Sequence, residues 1–187
     1  MELRGDRLRL REFVEEDFET THAYGSDPEV VRYQAWGPNT SEATREFIRR
    51  ARDAAAETPR TTFELAVVED GAGGGRHVGG CGLMGRRVHY REYEVGYCFA
   101  RHAWGRGLAS EALALLLGMA FDSGGDVRAN RIYACIDPQN LASRRVVEKA
   151  GFRLEGHQRR DTMLRGEWRD SVIYALLCDE FESGARQ

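Results

Sequence analysis

A strand, a glycine-containing turn and an apolar helix follow one another between residues 92 and 121. The turn reads Trp104-Gly105-Arg106-Gly107. About four backbone N–H groups at a helix start lack intrahelical partners, and the aligned peptide dipoles place a partial positive charge there. Glycines remove the Cβ atoms that would hold a phosphate away from these amides, and Arg106 can add a cationic contact. We therefore predict a pyrophosphate site at residues 104–107, which we call the anion turn.

Two other phosphate-binding motifs do not fit the anion turn. A Rossmann site requires a third glycine where Ser110 stands, and an acidic residue at the end of the next strand. A Walker A loop ends in Gly-Lys followed by Ser or Thr, a sequence that this chain does not contain. A tight strand-to-helix turn without a ligand is the remaining alternative for two glycines.

Hydrophobic periodicity and turn residues divide the chain into elements that would position the anion turn. They predict a mixed α/β sheet of about seven strands with flanking helices, in one domain that covers residues 1–187. The glycine-rich segment 70–75 is expected to be a flexible hairpin tip, and the tail after residue 179 a short helix that then frays. The predicted strands cover residues 7–13, 61–69, 78–84, 92–99, 131–136, 152–159 and 167–177; the predicted helices cover 15–24, a short segment ending at 31, a segment between 41 and 59, 108–121, and 143–150.

Composition argues against several classes of function. The chain has 187 residues, 42% apolar and 30% charged, as in an ordinary soluble domain. Its net charge of −3 gives no global reason to expect nucleic acid as a partner, since binding it needs a basic face. The longest apolar run, residues 112–121, is about half of a membrane span, so no membrane partner is expected. Four cysteines without C-x-x-C spacing are interpreted as buried, reduced thiols of a cytoplasmic protein, and no metal site is expected.

Motifs spread over nearly the whole chain resemble the GNAT superfamily of N-acetyltransferases. Residues 102–107, followed by 108–112, resemble its motif A, Gln/Arg-x-x-Gly-x-Gly/Ala, with His102 at the first position. Asn140-Leu141-Ala142-Ser143 resembles the family's Asn-x-x-Ser helix, Gly151-Phe152 its strand entry, and Glu94-Val95-Gly96-Tyr97 its fourth strand. Trp36-Gly37-Pro38 and residues 170–176 resemble the RimJ/RimL-like branch of ribosomal-protein N-terminal acetyltransferases.

The resemblance implies that acetyl-coenzyme A (acetyl-CoA) is the acetyl donor. In this family the fourth and fifth strands splay apart, and the pantetheine arm pairs with fourth-strand backbone, where N–H groups near Phe99 and Ala100 would stabilise the oxyanion. Asn140 would hydrogen-bond the pantetheine amides, and Ser143 would protonate the departing thiolate; helix capping is the alternative role for both. The expected cofactor-binding residues are Cys98, Phe99, Ala100, Trp104, Gly105, Arg106, Gly107, Leu108, Ala109, Asn140 and Ser143.

A catalytic base is expected near the fourth strand. Glu94 is the preferred candidate, acting directly or through a water molecule, because it shares a strand face with Gly96 and Cys98 and the family often uses an acid in this region. A solvated edge charge is the alternative interpretation of Glu94. The other candidates for the base are Glu92, His89 and Asp137.

Aromatic residues are the candidates for the wall of the acceptor pocket. Tyr33, Trp36 and Trp168 are expected there, with Trp36 in the loop where this family builds its acceptor site; core packing is the alternative. The resemblance implies acetyl transfer to a primary amine by direct attack in a ternary complex, with a protein N-terminal α-amine as the preferred acceptor. A small amine (a polyamine, an amino-acid analogue or an antibiotic) is the second hypothesis, and a non-catalytic acyl-CoA sensor the third. A homodimer is expected from the family alone.

Overall fold

Eight strands form one mixed sheet in the computed structural model, which describes residues 1–71 and 74–184. In chain order they are β1 (Glu2–Arg4), β2 (Leu8–Glu12), β3 (Thr62–Glu69), β4 (Arg76–Arg87), β5 (Glu92–Phe99), β6 (Arg131–Ile136), β7 (Arg153–Leu164) and β8 (Glu167–Leu177). Their order across the sheet is β1-β2-β3-β4-β5-β6-β8-β7. Neighbours run antiparallel apart from the parallel pair β5 and β6, so the predicted mixed α/β sheet is confirmed.

The parallel strands β5 and β6 stay together for only a short distance. Pairing begins at Glu92 opposite Arg131 and ends at Glu94 opposite Tyr133, with no further register pair between them in the described part of the chain. β6 is paired along its whole length with β8 on its other side. A wedge-shaped gap therefore opens between β5 and β6. This confirms the expected splaying of the fourth and fifth predicted strands, whose numbers are each one higher because β1 precedes them.

The described residues also form helices on both faces of the sheet: α1 (Phe18–Gly25), α2 (Ser41–Ala56), α3 (Leu108–Phe121), α4 (Leu141–Lys149) and α5 (Cys178–Gly184). Side chains alternate along a strand, so Leu65 and Val67 of β3 join the core beneath α3 while Ala66 packs towards α2. α2 begins after Thr40 because the Thr40 hydroxyl accepts the Ala43 N–H at 3.2 Å. The two faces of the sheet thus have separate helical covers.

One carboxylate ties the start of α3 to β2. Glu111 Oε1 accepts the backbone N–H groups of Arg7 at 2.8 Å and Leu8 at 3.1 Å, and its Oε2 accepts Arg7 Nε at 2.8 Å. Arg7 Nη1 in turn donates to the Arg106 carbonyl at 3.1 Å. Because the Glu111 side chain is only 16% exposed, water competes weakly for these bonds. They fix the anion turn relative to the sheet.

Three local predictions are corrected by the structure. Strand β1 was missed because three residues are too few to show an alternating pattern. The short helix predicted to end at residue 31 is a pair of overlapping turns in which the Asp27 carbonyl accepts the N–H groups of both Val30 and Val31. Cys135 is exposed, because it lies on the side of β6 opposite the core residues Ala134 and Ile136.

Two predicted segments lie partly outside the described residues. They are the hairpin tip at 70–75, which includes residues 72 and 73, and the tail, of which residues 185–187 are not described. Helix α5 confirms the short helix expected after residue 179, although it begins slightly earlier. Among the described residues, no helix combines the length and apolar character needed to cross a membrane.

Replacing Glu111 by Ala should destabilise the protein, because the backbone N–H groups of Arg7 and Leu8, at the start of β2, and the Arg7 guanidinium lose their acceptor. We expect the free energy of unfolding, measured by urea denaturation, to fall by about 1–3 kcal/mol. The control is Asp53→Ala, which removes a well-exposed ion pair with Arg49 on α2 and should change it far less. Equal effects of the two substitutions would contradict the structural role of Glu111.

Candidate active site

Both glycines of the anion turn adopt left-handed backbone conformations. Gly105 has φ of 71° and Gly107, the residue that precedes α3, has φ of 78°. A side chain is strained at such angles, which explains glycine at both positions. A Cβ added at Gly105 would meet no atom within 4 Å, and one at Gly107 only Arg7 Nη2 at 3.6 Å. The turn therefore leaves open space beside the start of α3, as an anion site requires.

The basic residues around the anion turn are Arg76, His102 and Arg106. The Arg106 guanidinium is bound by both oxygens of Glu69, one of them at 3.0 Å, and this pairing lowers the pKa of Glu69. Glu69 therefore competes with a phosphate for Arg106, and the direct contact of Arg106 with a phosphate stays a prediction. Burial, followed by the nearby cations Arg76 and Arg106, lowers the pKa of His102 and keeps its ring neutral at pH 7. An anion here would be held mainly by the backbone amides of the turn and of the start of α3.

The backbone of β5 offers hydrogen-bonding groups to the gap beside β6. Ala100 N–H donates to the Val78 carbonyl of β4 at 2.9 Å. Because antiparallel ladders alternate, the N–H groups of Tyr97 and Phe99 point the other way, into the gap. The Ala100 N–H is therefore not available to an oxyanion, which corrects that expectation. The Phe99 N–H does point into the gap, as expected. The Phe99 carbonyl accepts the indole N–H of Trp104 at 2.8 Å, so the Trp104 side chain braces the turn against β5.

The start of α4 lies across the gap from β5. Asn140 Oδ1 accepts the Ser143 N–H at 3.1 Å, so Asn140 does cap this helix, as its alternative role required. The Tyr97 hydroxyl donates to the Ser143 carbonyl at 3.1 Å and thus links β5 to α4. Burial raises the pKa of Tyr97 to about 12, so the phenol remains a donor. From the sequence, Tyr97 was assigned only to a strand. A buried tyrosine hydroxyl needs a hydrogen-bond partner, and this need was the signal that could have identified its link to another element.

A cavity of about 750 Å³ lies on the face of the sheet that carries α1 and α2; we call it the acceptor cavity. Tyr33, Trp36 and Glu94 line it, as predicted, together with Cys98. Trp168 is not among the lining residues and is 57% exposed. The next residues along β8, Arg169, Asp170 and Ser171, line the cavity instead, so the cavity wall begins one residue beyond Trp168.

The carboxylates predicted as candidate bases are mostly bound to arginines. Glu94 Oε2 accepts Arg86 Nε at 2.7 Å and the Tyr133 hydroxyl at 3.3 Å. Asp137, also in the cavity wall, pairs with Arg169 at 2.9 Å. The remaining candidates, Glu92 and His89, lie outside the cavity lining. Arg87 and then Arg131 lower the pKa of Glu92 through hydrogen bonds and charge, which leaves it a poor proton acceptor.

Glu64 of β3 is a cavity residue that sequence reasoning missed. It is partly buried, and in the described residues it makes no hydrogen bond or ion pair. Burial raises its pKa to about 7, with Arg50 opposing the shift more weakly. The signal available in the sequence was a charged residue, Glu64, that shares a strand face with the apolar Ala66. A carboxyl group that titrates near neutral pH inside a cavity is suited to proton transfer.

These features match a known family over most of the chain. Residues 7–153 match the model described as an acetyltransferase (GNAT) domain. The chain belongs to the GNAT acetyltransferase family. A curated relative, the uncharacterized N-acetyltransferase p20 of Bacillus licheniformis, is 31% identical over 177 residues, which cover 94% of this chain and 96% of p20.

Solved structures share the fold of this GNAT protein. A GNAT-family acetyltransferase from Bacillus anthracis is 30% identical, covers 96% of this chain and all of its own, and has a TM-score of 0.82. RimL, described as a ribosomal L7/L12 alpha-N-protein acetyltransferase in complex with coenzyme A, has the same TM-score at 18% identity, over 96% of this chain and 99% of its own. The present chain is an N-acetyltransferase that uses acetyl-CoA.

The anion turn of this acetyltransferase fits the pyrophosphate of acetyl-CoA. Open space beside two left-handed glycines and the start of a 14-residue helix are the features that such a group needs. Leu108 is fully buried in the core, so it can contribute only its backbone N–H. The gap between β5 and β6 leads from this face of the sheet towards the acceptor cavity, whose lining includes Val95 and Tyr97 of β5.

A distant arginine holds the loop that carries Tyr33 and Trp36. Arg165, in the turn between β7 and β8, donates from Nη2 to the carbonyls of Val31 at 2.9 Å and Gly37 at 3.2 Å. Its Nη1 donates to the Arg32 carbonyl at 3.2 Å. Arg165 and Gly166 form the turn itself, and no local sequence pattern indicates that the guanidinium anchors a segment about 130 residues away. The acceptor wall in this GNAT protein thus depends on the β7–β8 hairpin.

Gly107→Ala should weaken acetyl-CoA binding. A side chain at φ of 78° costs about 1–2 kcal/mol, and its methyl group enters the space beside the helix start. We expect the Kd for acetyl-CoA, measured by calorimetry, to rise at least ~10-fold. Gly118→Ala is the matched control, since Gly118 lies in the exposed side of α3 and an added Cβ there meets nothing within 4 Å. An unchanged Kd in Gly107→Ala would contradict the assignment.

Arg165→Ala should impair acceptor binding and leave acetyl-CoA binding intact, because it frees the 31–37 loop without touching the anion turn. We expect the KM of the acceptor to rise several-fold in steady-state assays, with an unchanged Kd for acetyl-CoA. Arg153→Ala, which removes an exposed ion pair with Glu180 at the other end of the same hairpin, is the control. A parallel rise in KM for Arg153→Ala would indicate a general effect on the hairpin.

Proposed function

We propose that this acetyltransferase acts on the α-amine of a protein N-terminus, as RimJ/RimL-like enzymes do. The observation that carries the proposal is the charge of the acceptor cavity. Its described lining holds four carboxylates, and three of them are already bound to basic side chains. Glu64 alone makes no hydrogen bond or ion pair with another described residue. The bound pairs are Glu94 with Arg86, Asp137 with Arg169, and Asp170 with His157.

One available carboxylate suits an acceptor with a single ammonium group. A polyamine carries several charges along its length, and each would need its own carboxylate on entering a partly enclosed cavity. The carboxylates of Glu94 and Asp137 are compensated by their arginines, so these pairs attract a second positive charge only weakly. The cavity therefore favours a chain that presents one amine and is otherwise uncharged near it.

The chemistry of the acceptor points the same way. An α-amine has a pKa near 8, so roughly a tenth is neutral at pH 7, whereas a lysine side chain near 10.4 is neutral in only about one molecule in 2,500. For a carboxyl group with a pKa of about 7, such as Glu64, taking a proton from an α-amine costs far less free energy than taking one from a lysine side chain. The aromatic side chain of Trp36, 41% exposed in the cavity wall, offers a surface for the residues that follow the amine.

The remaining residues have assignable roles in this reaction. Amides of the anion turn and the start of α3 hold the pyrophosphate, and the Tyr97 and Phe99 N–H groups face the pantetheine arm. Asn140 binds the same arm through its free amide NH₂ while its Oδ1 caps α4. Acetyl-CoA supplies an activated acetyl thioester. Ser143 provides a hydroxyl for the departing sulfur, and Glu94, held by Arg86, helps to orient the amine.

The similarity to RimL supports this proposal only through the fold that the two proteins share. RimL is described as acting on an α-amino group of a ribosomal protein, so the architecture accommodates such an acceptor. A ribosomal or newly made protein as acceptor would place the enzyme in the cytoplasm. We retain a homodimer as a family-level expectation, and analytical ultracentrifugation measures it directly.

A panel of amines tests the proposed acceptor class. Free thiol released from acetyl-CoA is followed with short peptides bearing a free N-terminal Ser or Ala, with spermidine, and with Nα-acetyl-lysine. We expect kcat/KM for the best peptide to exceed that for the other two amines at least ~10-fold, in line with the difference in amine pKa. The same peptide with a blocked N-terminus is the matched control and should release no thiol.

Each other result has a defined meaning. Preference for spermidine would replace the proposed acceptor by a polyamine. Tight acetyl-CoA binding without thiol release by any amine would favour a sensor rather than an enzyme for protein N-termini.

A further inference from the structure

Three residues on neighbouring strands form a straight row across the sheet. Glu64 of β3 is opposite Gly82 of β4, and Gly82 is opposite Gly96 of β5. Residues paired across antiparallel strands point to the same face, so all three face the acceptor cavity, whose lining includes each of them. We call Gly82 and Gly96 the glycine row. It leads from Glu64 to the edge of β5 that borders the gap.

The glycine row leaves room that side chains would fill. A Cβ at Gly82 would lie 2.7 Å from Glu64 Oε2, so the carboxylate occupies the space directly above Gly82. A Cβ at Gly96 would touch only Met84 Cε at 3.5 Å, so the space above Gly96 is open. Adjacent strands lie about 4.8 Å apart. The carboxylate of Glu64 is therefore about one strand spacing from the β5 backbone, with no side chain of the row between them.

Glu64 and Glu94 face the same cavity in different states. Glu94 Oε2 is held by Arg86 and by the Tyr133 hydroxyl, so accepting a proton would break an ion pair. Glu64 has no such partner among the described residues. A proton acceptor must be free to take a proton and to release it again in each turnover.

We propose that Glu64 is the proton acceptor for the incoming amine, and that the glycine row is the path along which the amine reaches the gap. This inference rests on the proposed function, because it needs an amine acceptor, but it does not depend on which amine is used. Glu94 keeps the role of an ionised group that orients the amine.

The proton balance of the step is simple. The ammonium group gives one proton to the Glu64 carboxylate and becomes a neutral amine. Its nitrogen then forms a bond to the acetyl carbon as the bond from that carbon to sulfur breaks, and the bonding electron pair leaves with sulfur. The second nitrogen proton passes to sulfur by way of the Ser143 hydroxyl, and Glu64 returns its proton to water. The products are an amide, a free thiol and one released proton.

The groups facing Glu64 explain why it titrates near neutral pH. Burial raises its pKa to about 7, and Arg50 of α2 is the cation that opposes this shift. Tyr24 of α1 and Cys81 of β4 have pKa values raised well above the neutral range by burial, so neither carries a charge beside it. Cys98 of β5 also remains a thiol, since burial raises its pKa to about 12. The charge of Glu94 is compensated by Arg86.

The pH dependence has a definite sign. Below about pH 7 Glu64 is protonated and cannot accept a proton, so kcat/KM should rise as pH increases through 7. A carboxyl whose pKa is raised in the folded state stabilises the fold below its ordinary pKa, and this contribution is lost as pH rises through about 7. The Tm of the wild type should therefore fall relative to that of Glu64→Gln between pH 5.5 and 8.5.

The decisive experiment measures pH profiles for Glu64→Gln and Glu94→Gln with the best amine found for the wild type. In Glu64→Gln we expect kcat/KM at pH 7 to fall about 10-fold, since only about a tenth of an α-amine is neutral at that pH. The rise of kcat/KM near pH 7 should disappear, and the rate should then rise only as the free amine itself loses its proton. In Glu94→Gln the limb near pH 7 should persist. Two further readouts do not use activity: the carbon-13 NMR titration of the Glu64 carboxyl group and the Kd for acetyl-CoA, which should be unchanged in both variants.

Substitution of the glycine row gives an independent test. Gly96→Val fills the open space above β5, so acceptor turnover should fall at least ~10-fold while acetyl-CoA binding and the Glu64 titration persist. Gly156→Val is the matched control, a strand glycine of β7 outside the acceptor cavity, where an added Cβ meets no atom within 4 Å.

Several outcomes would overturn the proposal. A wild-type pH profile in Glu64→Gln would remove Glu64 as the proton acceptor, and loss of the limb in Glu94→Gln alone would assign that role to Glu94. A Glu64 carboxyl group that titrates near pH 4 would also contradict it. Absence of turnover by the wild type with every amine would overturn the proposed function together with this inference, whereas turnover that is insensitive to Glu64 overturns this inference alone.

Discussion

The separation of two parallel strands, β5 and β6, is the constraint on which the rest of the site depends. Their pairing ends at Glu94, so the backbone of β5 beyond it must find other partners or remain open to a ligand. Some of those groups are satisfied locally, as when the Phe99 carbonyl accepts the Trp104 indole. The N–H groups of Tyr97 and Phe99 remain directed into the gap. A sheet that is interrupted in this way offers hydrogen bonds to an extended ligand arm.

The two faces of the sheet have separate roles, and the gap connects them. On the α3 and α4 side lie the anion turn and the capped start of α4, which are suited to acetyl-CoA. On the α1 and α2 side lies the acceptor cavity with its carboxylates. Glu111 fastens the first side to β2, and Arg165 fastens the second side to the β7–β8 hairpin. The reacting groups can meet only at the gap, so its position relative to Glu64 and Ser143 decides the chemistry.

Sequence reasoning succeeded where local chemistry decides the outcome. The bounds of α3, the strand before it and the glycines at 105 and 107 follow from apolar periodicity and from turns that need left-handed residues. It failed where the decisive partner is distant in the chain. Glu64 gains its role from glycines on two other strands, and the charge of Arg106 is paired by Glu69. Trp168 was expected in the cavity wall but lies more than half exposed outside it, because the sequence does not reveal how far along β8 the cavity extends.

The anchoring of the acceptor loop by one side chain has a consequence for how this scaffold diversifies. Arg165 binds only backbone carbonyls in the 31–37 loop, so exposed side chains of that loop, such as Trp36, can be exchanged without breaking the anchor. The anion turn shares no hydrogen bond with this anchor in the described residues. The residues that recognise the acetyl donor and those that recognise the acceptor can therefore change independently. A new acceptor can be accommodated by altering the exposed residues of this loop while the groups of the anion turn stay as they are.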